Sequence, residues 1–232
     1  MSPSAPPAPD RPARRNQRGA LLVTAAGLAA LGIGAALVHA VGSRVYDDDP
    51  VLRWNAIGTH ACGTLERGTT EQRDIAMMHL AIHDALNAIH PRFASYAFHA
   101  TPHPRASAPA AIATAAHDVL AATIPDERAT LDARYADDLA RIPNGAAKRD
   151  GIAIGRASAH AIVAMRAHDG ADAADIDDVP SPGMGRWEAT PPDHRRALVP
   201  GWVAVTPFAM TSSSQFAPPP PPGLHSAQYA RD

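Results

Sequence analysis

A chain of 232 residues with a formal net charge of −2 and a pI near 6.6 is long enough for one ordinary domain plus extras, and gives no electrostatic basis for gripping nucleic acid. Hydrophobic residues make up 46% of it but aromatics only 5%, and alanine dominates the apolar part, so a core must come from closely approaching helices. Cys62 is the single cysteine. That excludes an intramolecular disulfide, and "THACGTL" has no recognisable catalytic surround, so Cys62 reads as a small buried core residue.

The chain opens with a Pro- and Ser-rich stretch followed by Arg11, Arg14, Arg15 and Arg18. From Gly19 to Gly42 it runs "GALLVTAAGLAALGIGAALVHAVG", without a charged residue. A basic flank before an apolar run is the pattern of an export signal, with Val38-His39-Ala40 as a tolerable cleavage site. The alternative is an uncleaved anchor, because residues 19–42 are long enough to span a bilayer. The arginines before the run and Asp47, Asp48 and Asp49 after it place the N-terminus inside under either reading. Residues 1–42 are therefore expected to be an export signal or membrane anchor. The body is then periplasmic or extracellular, or tethered to the inner membrane through residues 19–42, which are its only expected membrane contact.

Residues 50–170 carry the periodicity of about five helices. The first runs from about Val51 to Leu65 and contains Trp54. The second runs from about Glu71 to Ile89, with Ile75, Met78, Ile82, Leu86 and Ile89 at helical steps and Pro91 as its stop. The third is capped by Ser107, has Pro109 in its first turn and extends to about Ile124. The fourth begins near Asp126 and places Leu131, Tyr135, Leu139 and Ile142 on one face. The fifth spans about Asn144 to His168, with Ile152, Gly155, Ala159, Ile162 and Met165 on one face and Gly170 as its C-cap. Strand-like alternation is absent, so the expected class is all-α, a partial helical bundle.

Residues 171–225 read differently. They include Pro218 to Pro222 in a row, a sequence that favours extended polyproline. Trp187, Trp202, Phe208 and Phe216 are dispersed through them, whereas disordered linkers are poor in aromatics. This is expected to be a proline-rich extended arm that lies across a surface by aromatic anchors. Residues 226–232 read as the start of a further helix capped by Ser226.

Several patterns invite a chemical reading. His79 and His83 stand four apart in "MMHLAIHDALNAIH", the spacing of a helical zinc site. The residues between them are Leu80, Ala81 and Ile82, so a zinc protease's general base is missing. His60, Asp84 and His90 could be recruited as further ligands, but no spacing forces it. Flanking a packing stripe, with ring nitrogens hydrogen-bonded, is the expected role of both histidines. The acidic run "HDGADAADIDD" at 168–178 lacks the alternation of a calcium loop and reads as solvated. "GMGRW" at 183–187 reads as a turn. Ser212, Ser213 and Ser214 have no nucleophile context.

An ordered series of segments carries a resemblance. "VLRWNAI" at 51–57, "MMHLAIHDALNAIHPRFASYA" at 77–97 and "AAIATAAHDVL" at 110–120 come first. They are followed by "IPNGAAKRDGIAIGRASAHAIVAMRAHDG" at 142–170, "GRWEATPP" at 185–192, "LVPGWVAVTPFAM" at 198–210 and "SSQFAPPPPPGLHSAQYARD" from Ser213 on. Together they resemble the N-terminal half of bacterial vanadium-dependent haloperoxidase-like proteins, of the type-2 phosphatidic-acid phosphatase superfamily. The resemblance implies a largely α-helical bundle. It also implies an activity in complete members: peroxide-dependent halide oxidation on bound vanadate, or phosphate ester hydrolysis.

That site uses a Lys followed by Arg-Pro, then Pro-Ser-Gly-His, then Ser-Arg with a later His, because an oxyanion needs fixed cations, a close amide and a proton carrier. None of these can be placed here. Lys148, the only lysine, is followed by Arg149-Asp150; Arg11-Pro12 lies in the leader; "PSPG" at 180–183 is not Pro-Ser-Gly-His; Ser43-Arg44 has no His at the required distance. The resemblance therefore implies a truncated chain, inactive alone, with no catalytic, cofactor-binding or metal residue to assign and no cofactor of its own. A separately encoded catalytic half is the partner it suggests. Two other expectations stand beside it: an exported helical interaction module docking on such a half, and a periplasmic His-rich metal-binding protein.

Overall fold

A computed structural model describes residues 49–63, 69–174, 176 and 183–231. The leader at 1–42 lies outside the described residues. Five α-helices follow in order: α1 (Pro50–Gly63), α2 (Thr69–Ile89), α3 (Ala108–Thr123), α4 (Arg128–Ala140) and α5 (Ala146–Arg166). A 3-10 turn at Pro125–Glu127 leads into α4, and two more lie at Ala171–Ala173 and Pro200–Ala204. No strand occurs among the described residues, and the fold is an all-α partial bundle.

The helix at the centre is α3, which packs against each of the other four. Its sequence, "APAAIATAAHDVLAAT", is nearly all apolar, as a helix surrounded by partners must be. Ser107 caps it, its Oγ accepting from Ala110 N–H at 3.4 Å, and proline occupies the first turn. α2 meets it with Met77, Met78, Ala81, Ile82, Ala85 and Ile89, all buried. Trp54 from α1 and Cys62 are fully enclosed in the same core.

Close approach is built into α5. A Cβ on Gly151 would collide with the Ser107 carbonyl oxygen, and one on Gly155 with the Ala111 carbonyl oxygen. Ser158 bridges α5 to α2, its hydroxyl donating to the Ala81 carbonyl at 2.7 Å. The expected α5 face is therefore displaced. Gly151, Gly155, Ser158, Ala159, Ile162 and Arg166 are buried, while Met165 is 51% exposed and Ile152 only half-buried. Backbone contact selects the smallest side chains, not the most hydrophobic ones.

Lys148 serves α4. Its ammonium donates to the Leu139 and Ile142 carbonyls at 2.6 and 3.1 Å and to Asn144 Oδ1 at 3.0 Å. These acceptors lie at the C-terminal end of α4, where a cation complements the helix dipole.

Beyond α5 the chain turns at Gly170, whose φ of +94° is left-handed backbone that glycine adopts freely. Thr206 N–H donates to the Asp169 carbonyl at 2.8 Å and Gly201 N–H to the Ala174 carbonyl at 2.9 Å. These bonds seat the stretch 200–208 against the end of α5. Of the four dispersed aromatics, Phe208 packs on the core and Trp202 is half-buried, whereas Trp187 and Phe216 are 50% and 77% exposed. Near the end of the described chain, Ser226 Oγ accepts from Tyr229 N–H at 3.1 Å, closing a turn.

Candidate functional site

Two clusters of buried ionisable groups stand out, and neither was singled out by spacing. The first is built on α3. His117 is 6% exposed, with Nδ1 2.7 Å from Asp118 Oδ1 and Nε2 2.7 Å from Asp132 Oδ1 of α4. Its ring stacks on Tyr135 at 4.4 Å and meets the edge of Trp54 at 6.5 Å. The Tyr135 hydroxyl donates to Thr114 Oγ1, which in turn donates to the Ala110 carbonyl. Arg156 of α5 and Arg128 of α4 stand outside, their Nε atoms 3.6 Å from Asp118 Oδ2 and 3.9 Å from Asp132 Oδ2. His117, Asp118, Arg128, Tyr135 and Arg156 line a cleft of about 370 Å³.

Two short contacts to carboxylates call for two N–H donors, so the ring fits as imidazolium. Burial alone would lower the His117 pKa; the hydrogen bonds and charges of Asp118 and Asp132 outweigh it and hold the pKa above 6.5. With both nitrogens donating, no lone pair is free to ligate a metal or attack phosphorus. The arrangement stores a proton between two helices.

The second cluster ties α2, α5 and the arm together. Asp169 Oδ2 accepts from Arg73 Nε and Arg166 Nε, each at 2.8 Å, and its Oδ1 accepts from Ala171 N–H. Arg166, 3% exposed, donates to the Thr206 carbonyl at 2.6 Å, and its guanidinium lies 4.0 Å over the Phe208 ring. Arg73 also donates to the Arg166 carbonyl at 2.9 Å. Burial would raise the Asp169 pKa, but the Arg73 and Ala171 hydrogen bonds and both guanidinium charges hold it below 3.8. The expectation of a solvated acidic run fails at this residue. Asp169 is drawn inside because the buried Arg166 and the part-buried Arg73 both donate to it.

The histidines of α2 have quieter roles. His79 Nε2–H donates to Asn55 Oδ1 at 2.9 Å, and burial lowers its pKa, favouring the neutral ring. His83 Nε2–H donates to the Ala94 carbonyl at 3.0 Å. Asp84, a paper candidate for metal ligation, accepts N–H groups from Tyr96, Ala97 and Phe98 at 2.6–2.8 Å and folds the following loop. Tyr96 then reaches the arm, its hydroxyl donating to the Phe208 carbonyl at 2.8 Å. Among the described residues no group of three or more His, Cys, Asp and Glu side chains is arranged to hold a metal ion.

An oxyanion such as vanadate does not fit the groups on display. Both buried arginines are turned toward Asp169 and backbone carbonyls, and His117 is flanked by two carboxylates that would repel it. Gly183 to Arg186 form a turn closed by Arg186 N–H donating to the Gly183 carbonyl. No family model, curated protein or solved structure matches the chain.

Proposed function

We propose that these residues form the helical scaffold half of an exported protein of the vanadium-haloperoxidase-like kind, whose arm docks on a catalytic half that these residues do not themselves supply. The ordered resemblance from residue 51 to 232 supports the family reading. One structural observation supports the docking. Most of the exposed large apolar side chains among the described residues sit between 184 and 229, including Met184, Trp187, Leu198, Val203 and Phe216. Each such side chain, once covered, contributes roughly 1.5–3 kcal/mol. Arg166 and Tyr96 bolt down the arm's root at Thr206 and Phe208, so the arm leaves the bundle from a fixed point.

In this reading oxyanion binding and turnover belong to the other half, and the scaffold supplies a surface. Export rests on the basic and apolar leader. Among the described residues no helix is long and apolar enough to cross a membrane, and residues 19–42 lie outside them.

Reconstitution tests the proposal. The full chain is mixed with a polypeptide bearing the Arg-Pro, Pro-Ser-Gly-His and Ser-Arg…His motifs, and bromination of a phenol indicator by peroxide and vanadate is followed. Turnover by the mixture but not by this chain supports the assignment. Vanadate-dependent turnover by this chain alone, or no binding between the two, overturns it.

A further inference from the structure

The His117 cluster has a property that the scaffold role leaves unused. α4 is shallowly held: Leu131 and Asp138 are its only buried residues. Its C-terminal half is secured by Asp138, which accepts from Trp54 Nε1 at 2.9 Å and pairs with Arg53 at 3.1 Å, and by Lys148 on the last carbonyls. Tyr135, at its middle, stacks on His117 and donates to Thr114 Oγ1 of α3; ahead of it the N-terminal half has Leu131 and the Asp132–His117 contact. An element with so little buried surface opens at low cost, and one charged contact can decide its state.

We propose that His117 is a proton-operated latch that holds the N-terminal half of α4 against α3, and that loss of its proton frees that half about a pivot at Asp138. With the ring charged, Nδ1 donates to Asp118 on α3 itself and Nε2 donates across the α3–α4 seam to Asp132, a bond that loses its charge assistance when the ring is neutral. With the ring neutral, one lone pair faces a carboxylate oxygen at 2.7 Å, which repels. The charged groups around the ring act as follows. From α3, Asp118 favours the charged ring; from α4, Asp132 favours it and Arg128 opposes it; from α5, Arg156 opposes it; from α1, Trp54 contributes only an edge. The carboxylates lie closer to the ring nitrogens than the arginines lie to the carboxylates, so the charged form prevails. Because the folded pKa is raised, the contact is fully present below 6.5 and is lost as pH rises through the folded value. Opening would uncover Leu131 and widen the cleft beside Tyr135.

The test uses the full chain. The His117 ring is titrated by NMR, and exchange protection of α4 amides is followed relative to α3 from about pH 6 to about pH 9. The His117 midpoint should lie above 6.5. Protection of the N-terminal half of α4 should fall about tenfold for each unit of the elevation that Asp132→Asn removes, since Asp118 stays beside the ring when α4 opens. Asp132→Asn, at a side chain 52% exposed, should fold, lower the midpoint and flatten the dependence. His117→Gln should abolish it, and His103→Gln, at an exposed ring, should change nothing. A midpoint at or below 6.5, α4 protection that tracks α3 at every pH, or an Asp132→Asn profile like that of the parent overturns the latch.

Discussion

The bundle at 50–170 and the arm at 183–231 solve the problem of burial in opposite ways. In the bundle, alanine and glycine let backbones touch, and polar groups are spent on neighbours: Ser158 on Ala81, Asp84 on a loop, His117 on two carboxylates. In the arm, large side chains such as Phe216 and Met184 stand 77% and 76% exposed, and ordering comes from a few bonds at its root. Small residues facing inward complete a core by themselves. Large residues facing outward do not, and they leave the exposed apolar surface of the described residues mostly in the arm.

The strongest way to break the comparison is to cut the two regions apart at Asp169. Asp169→Asn would leave the buried Arg166 without its counter-charge, while Arg73 keeps Asp74 at 3.5 Å, at a cost of about 3–5 kcal/mol. A lowered midpoint in denaturant together with rapid proteolysis after residue 170 is the expected outcome. The same contact gives an acid limb. With the folded pKa held below 3.8, its stabilisation is present above that value and lost as pH falls through the folded pKa. Tryptophan fluorescence should therefore report loosening of the arm's root only as the pH is taken below 3.8, and Asp169→Asn should remove that acid limb.

A smaller effect sharpens the contrast. Gly155→Ala presses a Cβ into the Ala111 carbonyl and should cost about 1–3 kcal/mol, whereas Gly223→Ala meets nothing within 4 Å and should stay within about 0.5 kcal/mol. Paired thermal melts read both. Smallest of all, Phe216→Ser should leave the stability of the chain alone unchanged within about 0.5 kcal/mol while weakening capture of the catalytic half.

Much of the bundle was legible in the sequence, for reasons that particular residues make plain. Ser107, Pro109 and the stripe through Met78, Ile82 and Ile89 are local signals, and the structure places them as read. The α5 face was misjudged at Met165 because alanine on every side gives little contrast, and close approach favours Gly151 over Ile152. The two ionisable clusters were not legible. Arg73 and Asp169 stand 96 positions apart, and no periodicity links them. His117 and Asp118 are neighbours in the sequence, but Asp132 joins them only when the turn at Pro125–Glu127 folds α4 back.

Hydrogen exchange of the full chain, alone and with the catalytic half, tests the central claim most directly. The account predicts strong protection in α2, α3 and α5, an intermediate level at 200–208, and rapid exchange at 184–199 and 209–229 that slows when the partner is added. Arm segments as protected as α3 in the chain alone, or unchanged by the partner, would contradict it.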